Sequence, residues 1–278
     1  MNRHTFAVAT LSAAFALLLA SPASAGFVAF DAAGSTAALP TLARDTFRAV
    51  VGGGTVAGAN GSFGGLRREI NWDGVPDALA DPNLLPGDFF NVTSPRGVVF
   101  STPGTGFMVS ANAGGGTPTL FGSGTNFQPF SAQRLFTAVG SNITDVRFFV
   151  PGTTIAATTS AFAAIFVDVE LAGSTKIEFF DANDALIFAH DALVAGNQGL
   201  SFVGGVANAG ERISRVRLTS GQNNLLASDD FVVMDDFLYA EPLLAVPPLT
   251  VPEPSSLALA ALGLTGSLVV LRRRRLGT

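Results

Sequence analysis

At 278 residues with 48% apolar side chains, the chain is long enough to bury a sizeable core in one large all-β domain or two small ones. It has no cysteine, which excludes disulfides as scaffolding, and Gly (31) with Pro (15) stays below the share at which low-complexity disorder is the default. Arg3 and the four tail arginines supply five of the 16 basic groups and Glu253 one of the 21 acidic groups, so residues 26–251 hold a net charge of about −9, which argues against nucleic acid as a partner.

The first element is a leader. Arg3 and His4 form a short polar start, residues 5–20 are apolar, and Ala23-Ser24-Ala25 has the small-x-small form of a signal-peptidase site. Residues 1–25 therefore read as a signal peptide, with Gly26 as the mature start and signal peptidase as a processing partner.

Next, Pro40 followed by TLARDTFRAVVGGG (41–54) predicts one short helix. Leu42, Phe47 and Val50 are expected to share its buried face, and Gly52 supplies the stop. From 61 to 124 the chain is rich in Gly, Pro, Asn and Asp, with brief apolar pieces at 97–101 and 106–110. That predicts short strands and long loops. IFVDVELA (165–172) places Val167, Val169 and Leu171 opposite Asp168 and Glu170, the alternation of a half-buried strand.

TKIEFFDANDALIFAHD (175–191) predicts a hairpin turning at 181–184. LSFVGGV (200–206), RISRVRLTS (212–220) and DFVVMDDFLYAEP (230–242) continue the strand pattern. Strands that follow one another without helices pair antiparallel. The expected body, 26–242, is all-β: an antiparallel two-sheet sandwich of jelly-roll type with a short N-terminal helix, followed by a linker over 243–250.

The chain ends differently. Residues 255–271 are uncharged, at the short limit for a transmembrane helix, and Arg272, Arg273, Arg274 and Arg275 follow at once. Basic residues beside a membrane segment stay cytoplasmic, so the body lies outside. Pro252 and Pro254 hold the preceding segment extended.

Val251-Pro252-Glu253-Pro254-Ser255, the apolar helix and the arginine cluster together resemble a PEP-CTERM sorting signal over 251–278. The resemblance implies recognition by exosortase, a membrane transpeptidase-like protease of Gram-negative bacteria that make exopolysaccharide. It further implies transient residence in the inner membrane, removal of the tail, and delivery to the cell envelope or extracellular matrix. In the body, RREINWDGVPD (67–77), FSTPGTGF (100–107), GSNITDVRFFVPGT (140–153) and MDDFLYAEP (234–242) resemble segments of exported bacterial proteins, some with such tails. That likeness implies no activity. The closing strand also resembles the last strand of carbohydrate-binding jelly rolls.

Asp235 and Asp236 are the most informative candidates for a site. Simple alternation puts Val232, Met234, Asp236 and Leu238 on one face of the closing strand, and Phe231, Val233, Asp235, Phe237 and Tyr239 on the other. With both faces apolar, a carboxylate there needs a partner. Structural calcium, with Asp229 and Asp230 completing the ligands, is one. Arg215 or Arg217 is another, and a surface strand end is the third reading.

Trp72 and Asp73 form a candidate sugar-binding pair, although Trp72 also reads as core. Glu69, Asp73 and Asp77 would have to place two carboxyls about 5–10 Å apart to act as a glycosidase. His190 is the only histidine beyond the leader, Asp191 beside it points to the opposite face, and no G-x-S-x-G elbow occurs. Three functions follow in order: a non-catalytic exported envelope or matrix protein of the exopolysaccharide or biofilm, a carbohydrate-binding module, and a secreted polysaccharide hydrolase.

Overall fold

The computed structural model describes residues 26–111, 127–131, 134–223 and 231–245. The expected signal peptide and the sorting tail with its apolar helix lie outside the described residues. Among the described residues no helix is long and apolar enough to cross a membrane.

In chain order the elements are β1 (Phe27–Gly34), helix α1 (Ala38–Val51), β2 (Ser62–Phe63), β3 (Arg67–Ile70), the one-turn helix α2 (Phe89–Val92), β4 (Val98–Ser101) and β5 (Gly106–Val109). There follow β6 (Phe136–Val139), β7 (Ile143–Phe148), β8 (Ala157–Thr158), β9 (Ala161–Val167), β10 (Lys176–Phe180), β11 (Leu186–Asp191), β12 (Leu200–Ala207), β13 (Arg215–Thr219), β14 (Val233–Ala240) and β15 (Leu243–Leu244). The larger sheet runs β1-β12-β9-β14-β3-β2, with β6 pairing both β14 and β5. The second runs β11-β10-β13-β7-β4, and β15 pairs with β8 by itself. Every recorded strand pair is antiparallel, as expected from strands linked without helices.

Alternation along the central strands builds the layers. In β9, Phe162, Ala164 and Phe166 face the second sheet, while Ala161, Ala163, Ile165 and Val167 face the opposite side. Phe162 meets Phe148 and Phe179 at 6.4 Å between ring centres, and Tyr239 meets Phe148 at 5.8 Å. On the other side, Phe47 of α1 lies between Phe30 (5.6 Å) and Phe202 (5.9 Å), so the helix caps the outer face over β1 and β12. Each fully buried phenylalanine contributes about 1.5–3 kcal/mol.

Two sequence expectations shift. The strand read at 165–172 is β9, which begins at Ala161 and ends before Asp168, a residue at φ 77. It is buried on both faces: one meets the second sheet, and the other lies in the outer cluster that joins Phe47, Phe127, Leu135 and Phe202. The helix buries Pro40 and Phe47, whereas Leu42 (65% exposed) and Val50 (55%) face outward. Five residues separate Leu42 from Phe47, which turns them well apart on a 3.6-residue helix. The stop is where expected: Gly52 has φ 86 and donates its N–H to the Arg48 carbonyl.

The hairpin forms as read. Asp181 Oδ1 accepts from the amides of Asn183 (2.8 Å) and Ala185 (2.9 Å), and Asp184 adopts φ 61. Leu243 and Leu244, expected in the linker, instead pair with β8, and Arg212 fastens that β8 by donating from Nε to Thr158 Oγ1 at 2.9 Å. His190 of β11 meets Asp31 of β1 at 2.5 Å, joining edge strands of the two sheets.

Gly204 and Gly205 in β12 are required by close approach. A Cβ at Gly204 would come within 2.5 Å of Ala163 Cβ, and one at Gly205 within 2.8 and 2.9 Å of the Phe188 and Phe179 rings. Gly205→Ala is expected to lower stability by about 1–3 kcal/mol through overpacking. Urea unfolding would show this as a lower midpoint at an unchanged slope.

Candidate functional site

The register of β14 against β9 contains the first element of the site. Met234 pairs with Phe166 and Phe237 with Ala164, so three steps on β14 match two on β9. The extra residue is a β-bulge at Asp235-Asp236. It corrects the simple alternation of the closing strand. Met234, Phe237 and Tyr239 share the inter-sheet face, and Val233 and Leu238 share the outer one.

The bulge turns both carboxyls toward one partner. Ser131 Oγ lies 2.7 Å from Asp236 Oδ1 and 3.1 Å from Asp235 Oδ1. The amides of Phe130 (2.6 Å) and Ser131 (3.1 Å) donate to Asp235 Oδ2. The interrupted ladder frees the Asp235 carbonyl, which accepts from Trp72 Nε1 at 2.9 Å. Burial first, and then the neighbouring carboxyl, push Asp235 well above the usual carboxylate range. Burial also raises Asp236, against the hydrogen bonds from Ser131 and Asp235 that pull it down. Of the two, Asp235 is the carboxyl pushed further toward its protonated form.

Each sequence candidate can now be placed. Trp72 is 1% exposed and stacks on Phe136 at 4.0 Å with a 1° interplanar angle, so its faces are unavailable to a sugar. Asp73 is half-buried and accepts from the Arg134 amide at 3.1 Å, and burial raises its carboxyl. Glu69 goes to Arg48 (2.5 Å) and Arg67 (2.6 Å), and Asp77 pairs with the Arg134 guanidinium. Of the three carboxyls of the hydrolase reading, Glu69 and Asp77 are committed to arginine guanidinium groups and Asp73 to the Arg134 and Asn71 amides.

Arg215 and Arg217 do not serve Asp235 or Asp236. Both donate to Asp145 on β7 at 2.9 Å, because Arg217 sits opposite Asp145 in the ladder. Burial raises Asp145, but the hydrogen bonds from Arg217 and Arg215 outweigh it and hold the carboxyl low. Asp229 and Asp230 lie outside the described residues. Among the described residues, no group of three or more His, Asp or Glu side chains could hold a metal ion. Ala23, Ala25, the motif 251–255 and Arg272–275 also lie outside them, whereas Gly26 is described.

Sequence reading missed a second feature. Arg44 and Arg48, one turn apart on α1, join Arg67 of β3 around a cavity of about 650 Å³ that also touches Asp45 and Phe63. Arg67 is wholly engaged, donating to Glu69 and to the carbonyls of Gly52 and Gly54. Arg44 and Arg48 converge on Asp45, whose side chain is 52% exposed. The i, i+4 arginine pair was the available signal, but its meeting with β3 depends on the fold.

Residues 250–275 match the PEP-CTERM protein-sorting motif. The motif marks the protein as exported, sorted and processed by exosortase, and held at the membrane transiently. No curated protein and no solved structure matches the chain.

The paired carboxyls predict a pH dependence. Both are raised in the folded state above the ordinary carboxylate range, so their contribution to stability is full below that range and is lost as pH rises through the folded values. Asp235→Asn keeps the shape and removes the proton. Its urea stability is expected to vary less between pH 4 and 7 than the wild type's. An unchanged pH profile would refute a raised Asp235 carboxyl in the folded state.

Proposed function

We propose that this protein is a non-catalytic component of the envelope or extracellular matrix of a Gram-negative bacterium, associated with exopolysaccharide or biofilm. In this reading a signal peptide (1–25) and a sorting tail (251–278) address a jelly-roll-type body that acts as a structural module. The observation that bears most of the weight is the sorting motif at 250–275. It is supported by a body whose prominent carboxyls are engaged in structural contacts. Intact-mass analysis of fractionated native-host cells tests the address. The expected species starts at Gly26, lacks the tail, and is found outside the inner membrane. A full-length cytosolic species would overturn it.

A second reading, a carbohydrate-binding module, is favoured by the arginine-lined cavity. Three arginines against Asp45 and Glu69 leave one net positive charge, in a body that is otherwise strongly acidic. A sugar carboxylate could replace exposed Asp45 between Arg44 and Arg48, since arginine forks suit carboxylates. On this reading an acidic polysaccharide binds, and Arg44→Gln weakens binding about tenfold or more, one charge-assisted contact being worth about 1.5–3 kcal/mol. Equal binding of a neutral glycan, or no loss in the variant, would remove it. A thermal melt of the same samples with and without chelator tests calcium: a lower midpoint with chelator supports it, and an unchanged midpoint removes it.

A further inference from the structure

The backbone nitrogen of Gly26 lies 2.6 Å from Glu211 Oε1. The other carboxylate oxygen accepts from the Ala209 amide at 3.0 Å, and the Asn208 amide donates to the Gly26 carbonyl at 3.1 Å. Immediately afterwards β1 begins, with Phe27 opposite Ala207. A Cβ at position 26 would meet the Asn208 side-chain amide, which packs against Gly26. This arrangement sits at the residue that Ala23-Ser24-Ala25 marks as the first after a signal-peptidase cut.

We propose that Glu211 is the receiving site for the α-ammonium group of Gly26 formed when signal peptidase cuts the Ala25–Gly26 bond. The inference rests on the export reading above. In the uncut chain Gly26 offers one neutral amide N–H. Water adds across the Ala25–Gly26 peptide bond, and the C–N bond breaks. The leader departs with a carboxylate on Ala25, and Gly26 keeps its nitrogen, which is protonated to an ammonium.

A neutral-donor hydrogen bond thereby becomes a charge-assisted one between ammonium and carboxylate, the stronger kind of contact. The cut position matters. A cut one residue earlier leaves Gly26 as an amide, and a cut one residue later removes it. Only the Ala25–Gly26 cut puts the new charge on the nitrogen that Glu211 holds. Processing then also fastens β1, an edge strand of the larger sheet.

Other charges at this corner are already engaged. The Arg212 guanidinium donates to Thr158, and Asp181 accepts from its own turn amides. Hydrogen bonding from Gly26, first among the causes, holds the Glu211 carboxyl below its ordinary value, so it is ionised near neutral pH, where the amine is charged.

The sequence supplies a clean readout, because Lys176 is the only lysine. Mature protein starting at Gly26 has two amines, and a limiting amount of acetic anhydride near pH 7 will distribute between them. An α-amino group ordinarily has a pKa of about 7.7–8.0, and a facing carboxylate raises it and slows acylation. Glu211→Gln is expected to speed acetylation of Gly26 about threefold, the effect of half a unit, with Lys176 unchanged as internal reference. Glu211→Asp, with the charge kept on a shorter arm, should fall between the two. Protein that starts at Gly26 with equal reactivity in all three forms would overturn the Glu211 assignment alone. A different start would overturn the cut position, and a retained leader would overturn the export reading and this inference together.

Discussion

Asp235 and Asp236 sit in a strand covered on both faces, and a carboxylate taken out of water there costs several kcal/mol unless donors or a proton compensate. The bulge in β14 is the structural answer. It turns both side chains toward Ser131 and exposes the Asp235 carbonyl to Trp72. One local irregularity thus connects the central strand, the 127–131 segment and the aromatic core. Trp72 gains its partner from the same kink, which explains how an indole N–H is tolerated so deep in the sandwich.

Arginine does much of the remaining polar work. Arg67 and Arg48 share Glu69, tying α1 to β3, while Arg68 pairs with Glu241 at 2.7 Å beyond the end of β14. Arg215 and Arg217 share Asp145 across β13 and β7. A chain without disulfides is therefore held by an apolar core whose margins are pinned by forked guanidinium contacts. The cavity beside α1 lies among these contacts, with Asp45 as its exposed acidic member.

Much of the architecture could be read from the sequence because it depends on neighbours in the chain. The 175–191 hairpin was visible in its Asp-rich turn, β13 in the alternation of Val216 and Leu218 with Arg215 and Arg217, and the end of α1 in Gly52. The sorting motif was legible for the same reason: its parts are consecutive. What escaped depended on distant partners. Nothing near Ala161 says that β9 will be covered twice. The bulge exists only relative to the register of β9, so alternation placed Phe237 and Tyr239 on the wrong side. Trp72 looked like a platform because its loop setting was visible and the Phe136 ring stacked on it was not.

Glu211 and Arg212 are consecutive, yet they hold opposite ends of the described body: the first binds Gly26, and the second binds Thr158, whose strand pairs with Leu243-Leu244. A tension applied between those two ends is therefore borne by one corner and does not run through the aromatic interior. The short β15–β8 ladder, with two paired positions, is the part that peels first, leaving the sandwich intact behind it.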